Sequence, residues 1–278
     1  MNGYNLNQLA QNLKTTAPMP VLFLGHGSPM NAIEENEFVA GFRKIALEIP
    51  KPKAILCISA HWETRGTFVT AMNFPKTIHD FGGFPQALFD VQYPAPGSPE
   101  TALEVQKTIS STPVGLTEDW GLDHGAWSVI KHLYPAADVP VLELSIDYTQ
   151  SGKYHYNLGK ELSALRNKGV LIIGSGNIVH NLRRVAWDKM ALNENYGYDW
   201  ALEANDTMVN HILNHKHESL INFKSQGTAF DLAIPTPEHY LPLLYTLGLQ
   251  TDKDKTTIFN NKAVGGSLTM TSIKLENH

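Results

Sequence analysis

The feature that most constrains the fold of this chain is a series of five short apolar runs, each bounded by proline or glycine. The runs are near-continuous rather than alternating, which is typical of strands covered on both faces. Helical patterns lie between them, over 37–49 and over 153–169. The runs are PVLFLG (20–25), KAILCISA (53–60), VPVLELSI (139–146), GVLIIGSG (169–176) and GGSLTMTSI (265–273). Strands alternating with helices predict an α/β fold in which helices flank both faces of a central, mostly parallel sheet.

A single domain accounts for the length of the chain. Its 278 residues can bury one large core, and no linker, internal repeat or low-complexity tract divides them. The polar start of the chain predicts a loose N-terminal segment over 1–17, followed by one domain over 18–278. A monomer is the favoured oligomeric state.

Charge and hydropathy exclude several classes of partner. The formal net charge is -5, and no cluster of Lys and Arg is longer than a pair, so binding to nucleic acid or to an anionic membrane is not expected. The apolar runs are far shorter than the roughly 20 residues of a membrane-spanning helix, and the first residues do not resemble a signal peptide. We therefore expect a cytoplasmic protein. Its one cysteine, Cys57, lies inside an apolar run and is interpreted as a buried hydrophobe.

Three histidines follow three of the predicted strands. His26 lies between two glycines directly after the first run, His61 follows the second, and His180 comes just after the fourth. Ligands of open α/β sheets gather outside the carboxyl ends of the strands, so one crevice is expected to collect these side chains. Two further histidines have suggestive settings, His124 in WGLDHGAW and His239 in PTPEHYLPL.

The chemistry of these histidines favours a metal ion. Imidazole is the commonest metal ligand in proteins, and imidazoles mixed with carboxylates suit iron, zinc, copper or nickel. A single histidine after a strand is more often a capping or hydrogen-bonding residue, so it is the joint placement that favours a metal site. The remaining histidines are interpreted as ordinary surface or core residues (His79, His132, His155) or as a solvated helix face (His211, His215, His217). The GSGN stretch at 174–177 falls short of a dinucleotide-binding fingerprint.

A long connection over 73–99, rich in proline, glycine and aromatic residues, also stands out. Loops of this length inside compact domains are more often functional than idle. The connection supplies Phe81, Phe84 and Tyr93 as candidates for the wall of an aromatic-ring pocket, although packing is an equally common role for such residues.

Six ordered blocks of the sequence resemble the LigB-type class III extradiol ring-cleaving dioxygenases, and within that family the DOPA 4,5-dioxygenase branch. The blocks are LFLGHGSPMN, ISAHWET, IHDFGGFPQALFDVQYPAPGSP, WGLDHGAWSVIKHLYP, GSGNIVHNLR and PTPEHYLPLLYTLG. The similarity extends from about residue 18 to the end of the chain. The resemblance therefore implies that 18–278 is a catalytic domain.

The resemblance implies a mononuclear non-haem metal centre with one divalent ion and no organic cofactor. The metal residues would be His26, His61, His180 and His239, with Glu238 as a rival of His239. Fe(II) is expected for oxygen chemistry. Zinc is expected as the ion found bound, because it binds such sites more tightly than Fe(II).

The resemblance also implies the reaction. A catechol and O2 would be the substrates, and L-DOPA would give 4,5-seco-DOPA, which cyclises to betalamic acid. His124 or His180 would be the catalytic acid and base, Asp123 would orient His124, and Asn177 would position a catechol oxygen. Two alternatives stay open: a zinc-dependent hydrolase that uses the same histidines, and a non-enzymatic interaction or redox module of the same fold.

Overall fold

The computed structural model describes residues 17–191 and 195–277, so the predicted loose segment 1–17 lies, apart from Ala17, outside the described residues. The strands are β1 Val21–Gly25, β2 Ala54–Ser59, β3 Glu63–Thr64, β4 Thr67–Thr70, β5 Val114–Thr117, β6 Val141–Glu143, β7 Ile146–Asp147, β8 Val170–Gly176, β9 Asp254–Phe259, β10 Ala263–Val264, β11 Leu268–Thr269 and β12 Ser272–Asn277. The helices are α1 Glu37–Glu48, α2 Gln86–Phe89, α3 Pro99–Thr108, α4 His124–Leu133, α5 Gly152–Arg166, α6 Trp187–Ala191, α7 Asp199–Leu213, α8 His217–Ile221, α9 Thr228–Ala233 and α10 Leu241–Gly248. None of the helices in the described ranges is long and apolar enough to cross a membrane.

The centre of the molecule is a six-stranded sheet with the order β6-β2-β8-β1-β12-β9. The four strands from β6 to β1 run parallel, whereas β12 and β9 add antiparallel pairings at one edge. The sheet is therefore mixed and mostly parallel, and the predicted fold class is confirmed. The parallel register places the ends of β2 and β8 side by side, with Ser59 opposite Ser175.

Continuous apolar strands arise here because each strand contributes to two cores. Val21 and Phe23 of β1 pack into the core formed with α5 and α10, while Leu22 and Leu24 pack into the core formed with α1 and α4. Successive side chains of a strand point to opposite faces. A strand covered by helices on both faces therefore carries apolar residues at every position.

Two of the five predicted runs do not form one strand each. The run 139–146 divides into β6, in the central sheet, and β7, which pairs with β3. The run 265–273 begins with Gly265 and Gly266 at φ of 56° and 81°, and only its last two residues belong to β12. Positive φ is incompatible with an extended strand, which is why the regular pairing starts later than the composition indicates.

The two glycines beside His26 are required for different steric reasons. A Cβ on Gly25 would lie 2.6 Å from the carbonyl carbon of Met270. Gly27 has a φ of 60°, and a Cβ there would lie 2.4 Å from the Met270 sulfur. Both positions pack against the Met270 segment, so only glycine lets β1 end and turn at this point.

Replacing Gly25 by alanine is expected to destabilise the protein by about 1–3 kcal/mol, the usual cost of forcing an extra carbon into a packed core. The clash is with backbone atoms, which cannot rotate away. Gly82→Ala is the matched control, because no described atom lies within 4 Å of the added carbon. Urea unfolding of the two variants measures the difference, and equal stability for both would contradict the steric account.

His155 is a fully buried histidine on α5, outside the cluster of histidines at the strand ends. Its Nδ1 lies 3.1 Å from the Tyr245 hydroxyl, and its Nε2 has no hydrogen-bond partner among the described residues. Burial lowers the pKa of His155 to about 4, against a smaller opposing effect of Asp147. The imidazole is therefore neutral in the folded protein at neutral pH.

This burial predicts an acid-sensitive contribution to stability. The unfolded chain takes up a proton on His155 near pH 6.5, whereas the folded protein does so only near pH 4. The free energy of unfolding should therefore fall as the pH drops from about 6.5 to 4, by on the order of 3 kcal/mol from this residue. In His155→Phe, the free energy of unfolding measured by urea melts should depend less steeply on pH across that window. The same pH dependence as in the wild type would contradict a neutral, buried His155 as its source.

Candidate active site

Five histidines meet beyond the carboxyl ends of β1, β2 and β8. His26 directly follows β1, His61 comes two residues after β2, and His180 comes four residues after β8. His124 is the first residue of α4, and His239 lies just before α10. Ring centroids are 5.1 Å apart for His26 and His61, 5.2 Å for His26 and His239, 3.9 Å for His61 and His124, and 3.6 Å for His180 and His239. The structure thus brings all the sequence-predicted histidines into one cluster.

The cluster contains two sets of metal-binding groups. Ligand atoms of His26, His61 and His124 lie within 4.8 Å of one another, and the same holds for His180, Glu238 and His239. The two sets adjoin, since the His239 ring lies 5.0 Å from that of His61 and 5.2 Å from that of His26.

Asp80 organises one side of the cluster. Its carboxylate lies 2.9 Å from His124 Nδ1 and 3.4 Å from His61 Nδ1, and it also accepts the backbone N–H of His124. Burial alone raises the pKa of Asp80, but hydrogen bonds and charge interactions with His124 more than offset this, so the pKa is lowered. His124 Nδ1 makes no hydrogen bond among the described residues, so its contact with Asp80 is one of charge and distance. The carboxylate beside His61 Nδ1 favours the tautomer with the proton on that nitrogen, which leaves the Nε2 lone pair for a metal.

The second carboxylate of the cluster is Glu238. Its Oε1 lies 3.2 Å from His239 Nδ1 and accepts a hydrogen bond from the Thr236 hydroxyl at 2.8 Å. Glu238 therefore contacts His239 in the way that Asp80 contacts His61. This arrangement places the carboxylate behind the imidazole, although both groups belong to the same potential ligand set.

Burial favours the neutral imidazole at four positions of the cluster, His26, His61, His180 and His239. It lowers the pKa of His26 and His239 well below the usual 6.5, with the neighbouring histidines adding to the effect. Burial also lowers the pKa of His61, and that of His180 to about 4. Neutral imidazole is the form that binds a metal ion.

These residues fit a divalent metal ion. His26 Nε2 and His61 Nε2 face each other at 3.3 Å, while the Nδ1 atoms of both rings face hydrogen-bond acceptors. Two lone pairs in that position repel unless a cation lies between them. Nitrogens bound at about 2.0–2.1 Å to one tetrahedral ion are separated by roughly 3.4 Å, which matches the observed spacing.

Three buried polar residues, Ser59, Asp123 and Glu143, form hydrogen bonds next to the histidine cluster. The Ser59 hydroxyl donates to Asp123 Oδ1 at 2.6 Å, and the same oxygen accepts the Ala126 N–H at 3.1 Å, which caps α4. Glu143 Oε1 accepts the Asp123 N–H at 2.8 Å, and burial raises the pKa of Glu143 well above its usual range. Asp123 thus orients His124 by capping its helix, whereas the carboxylate beside the imidazole is that of Asp80.

Asn177 has a structural role in the loop after β1. Its Oδ1 accepts the Gly27 N–H at 3.2 Å, and its Nδ2 donates to the Thr269 carbonyl at 2.8 Å. These two bonds tie the turn after His26 to β11. The amide is thereby engaged with backbone, and its role as a contact for a catechol oxygen stays a prediction.

The long connection 73–99 contributes an aromatic wall. The Phe81 ring lies edge-on to His124, with centroids 5.4 Å apart, and Phe84 packs against Phe81 at 5.5 Å. Tyr93 is buried elsewhere, and its hydroxyl donates to the Tyr134 carbonyl at 2.8 Å. Phe81 is therefore the member of the three that borders the cluster directly, with Phe84 behind it.

The histidines interpreted as a solvated helix face occupy three different settings. His211 lies near the end of α7, His215 follows that helix at a φ of 54°, and His217 begins α8. His217 Nδ1 lies 2.9 Å from the Tyr156 hydroxyl and its Nε2 2.9 Å from Gln250. The interpretation as one solvated face is wrong, because the helix ends at Leu213 before the spacing repeats.

Sequence reasoning missed two residues of the site, Asp80 and Ser175. Asp80 lies in the block IHDFGG, directly after a histidine and two residues before a glycine pair. Ser175 lies in GSGN at the end of β8, and its hydroxyl lies 3.0 Å from His26 Nδ1. A polar residue closing an otherwise apolar strand is the signal that could have identified Ser175.

Comparisons with known proteins agree with this geometry. The family model described as the catalytic LigB subunit of aromatic ring-opening dioxygenase matches residues 16–271. Proteins named 4,5-DOPA dioxygenase extradiol are 44% identical in Escherichia coli K12 and 36% identical in Beta vulgaris, each match covering 95% of this chain and 97% of the relative. A crystal structure of an uncharacterized protein from Escherichia coli K12 superposes with a TM-score of 0.78 at 40% identity, covering 93% of this chain and 100% of that one.

The chain belongs to the LigB family of aromatic ring-opening dioxygenases. It is an extradiol dioxygenase, a metal-dependent enzyme whose substrates are a small aromatic molecule and O2. The histidine set around His26 is a site that could hold the metal ion.

Proposed function

We propose that the chain is an Fe(II)-dependent extradiol dioxygenase that cleaves L-DOPA to 4,5-seco-DOPA, which then cyclises to betalamic acid. The observation that carries the proposal is the pair of Nε2 atoms of His26 and His61, 3.3 Å apart at the strand ends. The relatives named for 4,5-DOPA cleavage support the substrate. A ferrous ion at this point would supply open coordination positions for a catechol and for dioxygen.

In this proposal some residues are metal ligands and others act as general acid and base. His26, His61 and His239 would hold the ion, with His180 stacked on His239 at 3.6 Å and 8° between the ring planes. His124 or His180 would accept the catechol proton and return it to the product. Phe81 would pack against the aromatic ring, since it already borders His124.

The third ligand can be distinguished experimentally, because His124 and His239 belong to different potential ligand sets. Under the proposal, His239→Ala reduces the metal content after Fe(II) reconstitution. His124→Ala instead keeps the metal, and its turnover rate falls by roughly 10²–10⁴-fold when His124, and not His180, is the acid-base group. Loss of metal in His124→Ala alone would instead identify His124, and not His239, as the third metal ligand.

The experiment that tests the function is oxygen uptake by the reconstituted enzyme. The protein is loaded anaerobically with Fe(II), mixed with L-DOPA and exposed to air, while oxygen and the yellow semialdehyde product are followed. A parallel sample loaded with Zn²⁺ should consume no oxygen, since zinc has no redox chemistry. A panel of catechols without the amino-acid side chain tests the substrate. If the iron-loaded protein consumes no oxygen with any catechol, the proposed reaction is wrong, and hydrolysis by the zinc-loaded protein becomes the reaction to assay.

A further inference from the structure

The serine in the GSGN stretch lies between two elements of the histidine cluster. Ser175 is the sixth residue of β8 and is fully buried. Its hydroxyl oxygen lies 2.5 Å from the Gly125 carbonyl oxygen and 3.0 Å from His26 Nδ1. The serine therefore joins the loop after β1 to the first turn of α4, which carries His124.

The hydrogen positions follow from what each group can do. A carbonyl oxygen only accepts hydrogen bonds, so the single hydroxyl proton of Ser175 is donated to Gly125. The serine oxygen is then left with lone pairs toward His26 Nδ1. An imidazole nitrogen facing a lone pair must carry the proton. The proton of neutral His26 thus lies on Nδ1, and the lone pair lies on Nε2, which faces His61.

We propose that Ser175 is a positioning residue that holds His26 in the Nδ1–H form and aims its Nε2 lone pair at the metal ion. The inference rests on the proposed metal role of His26. His61 and His239 face carboxylates at the same ring position, those of Asp80 and Glu238. His26 is the exception, since the group behind it is a neutral hydroxyl.

The neutral partner has a chemical consequence for the site. A carboxylate behind a ligand raises the basicity of the imidazole, whereas a hydroxyl that donates elsewhere orients it without adding charge. Because that hydroxyl also contacts Gly125, a change at Ser175 affects the ring of His26 and the start of α4 together. Ser175 therefore orients the imidazole of His26 relative to α4.

A second buried serine provides a matched control. Ser272 is fully buried on β12, accepts the Gly25 N–H at 3.0 Å and donates to the Met270 carbonyl at 2.9 Å. Its hydroxyl bridges two segments one residue away from His26 but contacts no imidazole in the described structure. Ser272→Ala thus removes the same atom from the same neighbourhood without changing the tautomer of a histidine.

The test is the affinity of the folded protein for Zn²⁺, measured by competition with a chelator in wild type, Ser175→Ala and Ser272→Ala. We expect Ser175→Ala to bind zinc about 10–100-fold more weakly, the usual effect of removing the group behind a histidine ligand. Ser272→Ala should bind zinc like the wild type. We expect this even when its melting temperature falls by as much as that of Ser175→Ala. Unchanged affinity in Ser175→Ala, or an equal loss in both variants, would overturn the proposal.

Nuclear magnetic resonance of the zinc-loaded wild type provides a second measurement that needs no serine variant. With ¹⁵N-labelled histidine, the ring of His26 should show a protonated Nδ1 that exchanges slowly with water, assigned by its absence in His26→Gln. A protonated Nε2 on His26 would contradict the assignment. Neither experiment uses a catechol, so the proposal on Ser175 stands or falls separately from the ring-cleavage reaction.

Discussion

His26→Ala should lose both the metal ion and the ring-cleavage activity. The imidazole is 1% exposed, follows β1 directly and faces His61 Nε2 at 3.3 Å, so its removal takes away one of the two nitrogens proposed to hold the ion. Metal ions supply several kcal/mol of transition-state stabilisation, and each 1.36 kcal/mol is a factor of ten in rate. The turnover rate should therefore fall by about 10³-fold or more.

The measurement has two parts, the metal content after Fe(II) reconstitution and the oxygen uptake with L-DOPA. His217→Ala is the control, because this half-buried histidine is likewise hydrogen-bonded but contacts Tyr156 and Gln250, away from the cluster. We expect the control to keep its iron and its oxygen uptake. Full metal content and wild-type uptake in His26→Ala would show that the ion binds elsewhere.

Asp254→Asn is expected to cause the largest loss of stability among these variants. Asp254 and Arg166 form a bidentate ion pair, with N to O distances of 2.6 and 2.7 Å, and their side chains are 0% and 3% exposed. The same guanidinium donates to the carbonyls of Met19 and Leu249 at 2.8 and 3.0 Å. Arg166 therefore ties the chain before β1 and the residue after α10 to α5.

Removing one charge from a buried pair leaves the other without compensation, which typically costs about 3–5 kcal/mol. Urea unfolding of Asp254→Asn should show a loss of that size. The comparison is Glu35→Gln, which removes the carboxylate of an equally bidentate pair with Arg43 at 2.6 and 2.7 Å, but on the surface. Exposed pairs contribute little, so this control should unfold close to the wild type. Similar losses in both variants would mean that burial of the pair does not matter.

The same ion pair predicts a pH dependence. Burial alone raises the pKa of Asp254, but the hydrogen bonds from Arg166 and Thr251 more than offset this, and the pKa is lowered. A lowered pKa in the folded state gives stability that is fully present above the unfolded value near 3.9 and is lost as the pH falls through the folded value. The difference in stability between wild type and Asp254→Asn should therefore shrink below about pH 4. A difference that stays constant down to pH 2 would contradict this reading.

The sequence by itself determined the class of fold and the ends of the strands at which the site lies. Apolar runs such as 20–25 and 169–176 form strands because a chain segment covered on both faces must be apolar throughout. This property is local, so it can be recognised from the amino-acid sequence alone. The histidines that follow those strands could be identified for the same reason, since parallel strands end at a common edge. His26 and His61 meet there as the pattern predicts.

Only the tertiary structure decided which polar groups stand behind the histidines. Asp80 comes from the connection 73–99 and Ser175 from a neighbouring strand, and their contacts with His61 and His26 span 19 and 149 positions in the chain. No local periodicity records such contacts, because they depend on how strands pair and on where a long loop returns. The division of the run 139–146 between two sheets has the same origin: composition shows that a segment is buried, but only the packing of its neighbours determines which sheet it joins.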